Sequence, residues 1–292
     1  MRPTGDPGPP VIMGVVNVTP DSFSDGGRWF DADAAISHGL DLVAEGATVV
    51  DVGGESTRPF ATPVDPTEEQ RRVLPVISAL ASHVRVSVDT RNADTALAAI
   101  DAGATLLNDV SAGLARVAAD AGVGWVAMHM QGDPQTMQIE PAYDDVVGEV
   151  RDFLVQRAAE AVALGVDEVW IDPGFGFGKT VEHNLALLGH LDALVATGYP
   201  VTVGLSRKGF LGRLVAASDA RVAAPPLPGL EPPLEAPAPV PADDRLEASV
   251  AAAVWALAKG VRMVRVHDVA PTVRAARLLA ASSPVEASWS AA

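Results

Sequence analysis

The sequence lacks cysteine and long hydrophobic runs, and only 5% of its 292 residues are aromatic. Without cysteine, the chain can form no disulfide, no thiol nucleophile and no cysteine-ligated metal site. No apolar run approaches the roughly 20 residues that a membrane-spanning helix needs. The first ten residues also lack the apolar core of a signal peptide, so we expect a cytoplasmic protein.

Positive charge is scarce as well. The chain carries 21 Lys and Arg residues against 37 Asp and Glu residues, which gives a formal net charge of −16. Nonspecific binding to nucleic acid or to anionic membranes depends on a basic surface, so neither is expected. The partners we expect are small molecules, and any phosphate site must be a local concentration of basic groups.

Two common chemical signatures are missing. His38, His83, His183 and His190 fall in predicted helices or loops without the spacing of metal ligands. The segment GFGFGK at 174–179 lacks the GxxxxGK[ST] spacing of a nucleotide-binding P-loop, so ATPase chemistry is not indicated.

What the sequence does contain is an alternation of short apolar runs with helical patterns. Eight such pairs follow one another, and no two strands are consecutive. This order predicts an α/β fold with a parallel sheet closed as a single-domain (β/α)₈ TIM barrel; an open doubly wound sheet is the alternative. The predicted strands cover 11–18, 48–54, 84–90, 106–110, 125–130, 169–173, 201–206 and 263–267.

The barrel pattern is missing at both ends of the chain and in one internal segment. We predict a flexible leader at 1–10, the barrel at 11–281 and a flexible tail at 282–292. Within the barrel, the pattern fails at 217–244, where eight prolines fall between Pro225 and Pro241, which predicts an irregular, disordered insert. A single helix is predicted over 181–196.

The segment EVWIDPGFGFGKT at 168–180 is the clearest candidate for a functional turn. Its apolar residues predict a strand buried on both faces, and Asp172 stands where that strand ends. The glycines that follow allow a sharp turn and a close approach to a ligand. A carboxylate at this place is costly unless something pairs with it, so Asp172 either binds a ligand or serves as a capping or ion-paired loop residue.

Polar residues occur at or near the carboxyl end of nearly every predicted strand, where the active sites of such barrels lie. Any one of them alone is equally well explained as a cap of the next helix, but together they predict a pocket the size of a small molecule. The set consists of Asn17, Glu55, Asp89, Asn108, His129, Asp172, Ser206, Lys208, Arg265 and His267.

The residue types in this set indicate the ligand. The acceptors Asp89, Asn108 and Asp172 suit a flat heterocycle that carries several N–H donors. Arg58, Lys208, Arg265 and His267 supply positive charge for phosphates. Met128 and Phe177 pack either on the faces of the ring or in the barrel core. The polar loops at 19–27 and 55–63 are either lids that exclude water or ordinary surface loops.

Eight motifs in this order resemble the dihydropteroate synthase family of folate biosynthesis. They are NVTPDSFSDGG, DVGGESTRP, SVDT, NDVS, MHMQG, DPGFGFGK, GLSRKGFLG and VRVHDV, and the resemblance covers residues 11 to about 280. It implies a (β/α)₈ barrel, a homodimer, and the Mg²⁺-assisted joining of 6-hydroxymethyl-7,8-dihydropterin pyrophosphate to 4-aminobenzoate. In that mechanism pyrophosphate leaves before the aniline nitrogen attacks.

The resemblance also assigns roles to residues. It implies that Asp89, Asn108, Asp172 and Lys208 hold the pterin edge, that Met128 and Phe177 lie beside the ring, and that Arg265 contacts the ring and, with His267, the pyrophosphate. Asn17 would reach Mg²⁺. The aminobenzoate and pyrophosphate contacts would come from Asp21, Phe23, Thr57, Arg58, Pro59 and Ser206, and the catalytic set would be Asp89, Lys208, Arg265, His267 and Asp21. Gly209 departs from the family, some of whose members have Ser or Arg there.

Two other functions fit parts of the pattern. A methyltetrahydrofolate-dependent corrinoid methyltransferase has a similar barrel and pterin pocket but needs no pyrophosphate clamp, whereas Arg58, Arg265 and His267 form one here. A catalytically silent pterin-binding paralogue should have eroded loop motifs, and both loop motifs are intact.

Overall fold

The computed structural model describes residues 8–19, 32–56, 63–223 and 238–282. It contains eight strands, each followed by at least one helix. The strands are β1 (Val11–Asn17), β2 (Val49–Gly53), β3 (Arg85–Asp89), β4 (Leu106–Asp109), β5 (Gly124–Met128), β6 (Val169–Asp172), β7 (Thr202–Val203) and β8 (Met263–Val266). The helices are α1 (Ala32–Glu45), α2 (Pro66–Leu80), α3 (Ala93–Asp101), α4 (Ala115–Ala121), α5 (Val146–Leu164), α6 (Val181–Gly189), α7 (Leu191–Val195), α8 (Gly209–Ala223), α9 (Leu246–Ala258) and α10 (Val269–Ser282).

The strands form one parallel sheet in the order β6-β5-β4-β3-β2-β1-β8-β7. A single bridge between Ile171 on β6 and Val201, just before β7, joins the two edges of this sheet. The predicted (β/α)₈ barrel is therefore confirmed, and the strands are shorter than the apolar runs that predicted them.

Two hydrophobic clusters surround the sheet on its two faces. The larger one lies between the sheet and the helices, because side chains such as Val50 and Val52 on β2 point outward against the helical layer. The smaller one contains residues of five strands, Met13, Val49, Leu106, Val126 and Met263. Since side chains alternate along a strand, these residues fill the barrel interior, as expected for a packed barrel core.

Local sequence explains where several helices begin and end. Asp65 caps α2 by accepting a hydrogen bond from the Thr67 N–H, and Pro66 occupies the first turn, where a missing N–H does no harm. Gly122 and Gly165 end α4 and α5 in the left-handed conformation that glycine adopts without strain. None of the helices in the described part of the chain is both long and apolar enough to cross a lipid bilayer.

Two helix predictions were wrong in detail. The helix predicted over 181–196 is broken at His190, whose φ of −115° and ψ of 32° are not helical. The irregular segment predicted at 217–244 is regular at both ends, because α8 continues to Ala223 and a 3₁₀ helix occupies Ala242–Asp244. The first proline after Gly209 is Pro225, so nothing interrupts α8 before Ala223. Residues 224–237 lie outside the described residues.

A buried carboxylate organises the loop after β4. Asp109 is fully buried and accepts hydrogen bonds from the Ser111 N–H at 2.9 Å, the Leu114 N–H at 2.7 Å and the Trp125 indole at 3.1 Å. It thereby fixes the turn into α4 and the large Trp125 side chain, which is fully buried on β5.

Asp109→Ala should lower the free energy of unfolding by about 3 kcal/mol or more, because several buried donors lose a charged acceptor. Urea denaturation measures the change. The control is Asp120→Ala on α4, which removes an exposed carboxylate 3.7 Å from Arg116 and should change stability by less than about 0.5 kcal/mol. Equal effects of the two substitutions would show that Asp109 does not organise this loop.

Candidate functional site

The interior-facing side chains change from apolar to polar along the barrel. Residues two apart on a strand share a face, and three strands place an apolar residue first and a polar one two positions later: Val49 and Asp51, Leu106 and Asn108, Met263 and Arg265. The polar members lie toward the carboxyl ends of the strands. The barrel therefore has a hydrophobic floor below a polar mouth.

A pocket opens to solvent at this mouth. All seven residues that the sequence assigned to pterin binding line it, together with Val110, Gly174, Phe175 and Gly204. The seven are Asp89, Asn108, Met128, Asp172, Phe177, Lys208 and Arg265. They come from strands β3 to β6, β8 and the loops after β6 and β7, so barrel closure alone brings them together.

Arg265 forms ion pairs with two carboxylates inside the barrel. Its Nε lies 2.6 Å from Asp51 Oδ2, and its Nη2 lies 2.8 Å from Asp89 Oδ2. Asn108 Nδ2 also donates to Asp51 Oδ2, at 2.9 Å. Asp51 was not among the predicted site residues, yet it contacts two of them.

The electrostatics of the pocket favour a polar ligand. Burial raises the pKa of Asp89, and Arg265 offsets part of that rise. Burial also raises the pKa of Asp172. Burial, together with the nearby Arg265 charge, lowers the pKa of Lys208 to about 8. Each group holds its charge less firmly than it would in water, so a ligand that pairs with these groups stabilises their charged forms.

Lys208 and Phe177 form one wall. The Lys208 ammonium lies 4.3 Å from the centre of the Phe177 ring, within the range of a cation–π interaction. A side chain at Gly176 would press on the Lys208 stem, since its Cβ would lie 3.3 Å from Lys208 Cδ. A glycine at this position therefore leaves room for Lys208 to cross the loop.

The loop after β6 depends on a second glycine. Gly174 has a φ of +64°, and a Cβ there would overlap the carbonyl oxygen of His129. The Gly174 N–H donates to Asp172 Oδ1 at 2.7 Å, which orients that carboxylate. Farther along the loop, the Gly176 N–H donates to Asn184 Oδ1 at 2.7 Å, so α6 anchors the turn.

A buried lysine beneath this loop was missed by the sequence analysis. Lys179 is only 3% exposed, and its ammonium lies 3.0 Å from His129 Nδ1, 3.1 Å from the Gly174 carbonyl oxygen and 3.0 Å from that of Phe177. Burial lowers its pKa to about 7. Lys179 is the last residue of the DPGFGFGK motif, so the motif marks its position. The sequence does not show that its side chain turns inward.

His129 does not line the pocket, although it follows a barrel strand. Its ring packs edge-on against Phe153, with 5.0 Å between ring centres. Because it faces the Lys179 ammonium, His129 is neutral and accepts through Nδ1. Burial, with a contribution from Lys179, lowers the pKa of His129 to about 3.

Ser206 and His267 lie together beyond the ends of β7 and β8. The Ser206 hydroxyl is 3.1 Å from His267 Nδ1 and accepts from the His267 N–H at 3.2 Å. Burial and the charges of Arg265 and Arg207 lower the pKa of His267 to about 3. Neither Ser206 nor His267 is among the residues that line the pocket.

The remaining predicted residues are more scattered. Asn17 ends β1, and Glu55 forms an ion pair with Arg91 at 2.9 Å. Gly209 begins α8, so its backbone N–H belongs to a helix N-terminus. The residues predicted in the two polar loops, Asp21, Phe23, Thr57, Arg58 and Pro59, lie outside the described residues.

Comparisons with known proteins point to one family. The sequence profile of the family described as pterin binding enzyme matches residues 13–267. A dihydropteroate synthase from Mycobacterium leprae is 46% identical over 282 residues, which cover 94% of this chain and 93% of that protein.

Solved structures show the same likeness. A Xanthomonas albilineans dihydropteroate synthase with 4-aminobenzoic acid is 44% identical and has a TM-score of 0.81, with 96% of this chain and 95% of that chain covered. A structure from the same organism in complex with 7,8-dihydropteroate is 41% identical and has a TM-score of 0.78, with 96% of both chains covered.

Gly174→Ala should displace the loop after β6, because the added Cβ meets a backbone carbonyl and φ is positive. Pterin binding should weaken about tenfold or more, since Asp172 loses the N–H that orients it. Isothermal titration calorimetry with 6-hydroxymethylpterin measures the change. Gly189→Ala on α6, where an added Cβ meets nothing within 4 Å, is the control. Unchanged affinity in Gly174→Ala would contradict a role for this loop in the pocket.

The contribution of His129 and His267 to the free energy of unfolding should fall as the pH drops from about 6.5 toward 3, whereas the raised pKa values of Asp89 and Asp172 act in the opposite direction. The folded chain holds the pKa of His129 and of His267 at about 3, below the ordinary value of 6.5, so the unfolded chain takes up protons first. The contribution of each histidine is complete above pH 6.5, and its slope is at most about 1.4 kcal/mol per pH unit. Denaturation at several pH values checks the sign.

His129→Asn keeps an acceptor near Nδ1 and removes the titrating ring, so the free energy of unfolding of the wild-type protein should fall relative to that of this variant between pH 6 and 4. His83→Gln replaces an exposed histidine and should leave the slope unchanged. The assignment fails if the three proteins lose stability in parallel.

Proposed function

The chain belongs to the dihydropteroate synthases within the pterin binding enzyme family, and on this basis we propose how its pocket carries out their reaction. It is a transferase that condenses 6-hydroxymethyl-7,8-dihydropterin pyrophosphate with 4-aminobenzoate to give 7,8-dihydropteroate and pyrophosphate. The observation that carries the proposal is the pocket itself, in which buried acceptors and buried cations converge at the carboxyl ends of the strands.

The pterin is the part of the substrate that fits the described pocket. Its ring edge carries several N–H donors, for which Asp89, Asn108 and Asp172 supply acceptors. Lys208 faces the same space and can donate to ring acceptors, while Phe177 offers an apolar face to the ring. Pairing with the ring also offsets the cost of keeping the carboxylates buried and ionised.

We propose a dissociative first step. The bond between the pterin methylene carbon and the pyrophosphate oxygen breaks, and both electrons leave with pyrophosphate. The cation that remains is delocalised into the pterin ring and lies close to the Asp89 carboxylate, which stabilises it in a site of low dielectric constant. The aniline nitrogen then forms the new C–N bond with its lone pair and loses a proton.

The leaving group needs positive charge near its oxygens. Arg265 can contact both the pterin ring and the leaving pyrophosphate, since its guanidinium lines the pocket and forms an ion pair with Asp89. His267 is the second candidate and is held by Ser206 through Nδ1. It is neutral next to Arg265, but a bound pyrophosphate would favour the imidazolium, so substrate binding there should take up a proton.

Mg²⁺ would assist pyrophosphate departure by neutralising charge on its oxygens. In the described part of the chain, no group of three acidic or histidine side chains could hold a metal ion. Asn17 offers one amide oxygen at the mouth, with no hydrogen bond to another described residue. This donor set fits a Mg²⁺ ion that arrives with the diphosphate and keeps most of its water ligands.

A homodimer in the cytoplasm completes the proposal. Its support is the family resemblance, together with exposed apolar side chains on α6, α8 and α9. Leu185, Leu214 and Trp255 are 39%, 38% and 49% exposed. The Trp255 indole donates to the Leu188 carbonyl at 3.1 Å, so it is fixed on the surface rather than free to fold inward.

The test incubates the purified protein with dihydropterin pyrophosphate and Mg²⁺, with and without 4-aminobenzoate, and follows released pyrophosphate and the mass of the product. Dihydropteroate formation is expected. Pyrophosphate release without 4-aminobenzoate supports the dissociative order. Pterin binding without either product would instead indicate the silent paralogue, and methyl transfer from methyltetrahydrofolate to a corrinoid would indicate the methyltransferase.

Arg265→Ala should lower kcat/KM about 100-fold or more, because the cleavage step loses a guanidinium that lines the pterin pocket. Steady-state kinetics of pyrophosphate release measures the loss. Arg274→Ala, which removes an exposed arginine on α10, is the control and should keep normal activity. Near-normal activity in Arg265→Ala would remove this residue from the site.

A further inference from the structure

Asp51 lies directly beneath the pocket. It is the third residue of β2, its side chain is 0% exposed, and it is not among the residues that line the pocket. A fully buried carboxylate destabilises the fold unless its partners satisfy it, so the partners of Asp51 indicate its role.

One oxygen of Asp51 accepts from two residues of the pocket wall. Asp51 Oδ2 lies 2.6 Å from Arg265 Nε and 2.9 Å from Asn108 Nδ2. In the sheet, β2 stands two strands from β4 on one side and two strands from β8 on the other. The carboxylate therefore joins two walls of the pocket across the barrel interior.

This contact decides how the Asn108 amide is oriented. An ionised carboxylate only accepts hydrogen bonds, so the end of the amide beside it must be the NH₂ group. The amide oxygen is then left for the pocket that Asn108 lines, and no hydrogen bond from another described residue reaches it. Asn108 can thus offer an acceptor to a ligand N–H only because Asp51 holds its nitrogen.

The same oxygen anchors Arg265. The guanidinium is bound through Nε to Asp51 and through Nη2 to Asp89. When a ligand takes over Asp89, the bond to Asp51 still holds the arginine at the pocket wall. Asp51 has no access to the ligand and stays with Arg265 throughout.

We propose that Asp51 is a positioning residue that fixes Asn108 and Arg265 in the orientation that dihydropterin binding requires. It acts on the pterin substrate and not on 4-aminobenzoate, because both of its partners line the pterin pocket. This inference rests on the pterin-binding role proposed above for that pocket.

The first test compares Asp51→Ala and Asp51→Asn with the wild-type enzyme. The KM values for 6-hydroxymethyl-7,8-dihydropterin pyrophosphate and for 4-aminobenzoate are measured separately. Calorimetry with 6-hydroxymethylpterin gives a dissociation constant that does not depend on turnover, and thermal melting confirms that each variant is folded.

Asp51→Ala should raise the pterin KM and dissociation constant about tenfold or more, because Asn108 and Arg265 both lose their anchor. The KM for 4-aminobenzoate should stay within about twofold. Asn at position 51 keeps one oxygen that can accept from both partners, so Asp51→Asn should recover most of the pterin affinity. A purely structural role would not separate the two substrates in this way.

Ser87→Ala is the matched control. Ser87 pairs with Asp51 in the register between β2 and β3, is equally buried, and its hydroxyl has no hydrogen-bond partner within the described part of the chain. Removing this hydroxyl changes the same layer of the barrel without touching Asn108 or Arg265, so pterin binding should remain normal.

A carboxylate at position 108 gives a second test of the contact with Asp51. Asn108→Asp places two carboxylates against each other, and pterin binding should weaken about tenfold or more.

Three results would overturn the inference. They are unchanged pterin affinity in a folded Asp51→Ala protein, an equal rise of both KM values, and unchanged pterin affinity in Asn108→Asp. A wild-type protein that binds the pterin but makes no dihydropteroate would instead count against the proposed function, and the calorimetric comparison would still decide the role of Asp51.

Discussion

The pocket depends on one guanidinium held between two buried carboxylates. Arg265 brings its charge from β8 into the barrel, where Asp51 and Asp89 meet it from β2 and β3. None of the three charges would be tolerated alone at this depth, since an unpaired buried ion costs several kcal/mol. Their mutual pairing allows a barrel with a hydrophobic floor to carry a polar mouth.

This arrangement leaves two buried carboxylate oxygens without a hydrogen bond from a described residue. They are Oδ1 of Asp51 and Oδ1 of Asp89. Such atoms destabilise the free protein, and the one on Asp89, which lines the pocket, can be satisfied by an N–H donor of a ligand. A pterin edge supplies donors, so the same polar layer that weakens the free barrel favours the bound one. Stability and affinity are therefore set by the same few side chains.

Much of this was predictable, for identifiable reasons. Strand and helix patterns alternate without interruption, and a closed parallel sheet gathers the carboxyl ends of its strands, so Asp89, Asn108, Asp172 and Arg265 had to lie near one another. Asp51 was missed because it sits inside the apolar run TVVDVGG, where only the neighbouring strands show what it pairs with. Lys179 was missed because its partners are mainly backbone carbonyls, which leave no trace in a sequence.

The break at His190 and the full length of α8 were missed for a different reason. The prolines were the reason for predicting an irregular segment from residue 217 onward. They begin only at Pro225, and the residues before them include several alanines, which favour a helix. Helix α6 and helix α7 together satisfy one continuous helical pattern, and the local backbone at His190, not the pattern, separates them.

The shortness of β7 gives the barrel a seam. Among the described residues, β6 is joined to the chain entering β7 by the single bridge between Ile171 and Val201, where the Ile171 N–H donates to the Pro200 carbonyl. Asp172 follows one side of this seam, and Lys208 follows the other. Amide hydrogens there should exchange with solvent faster than those of the long β1–β2 ladder. A pterin that contacts both Asp172 and Lys208 links the two sides of this seam. Ligand binding should therefore stabilise the closed barrel as well as fill the pocket.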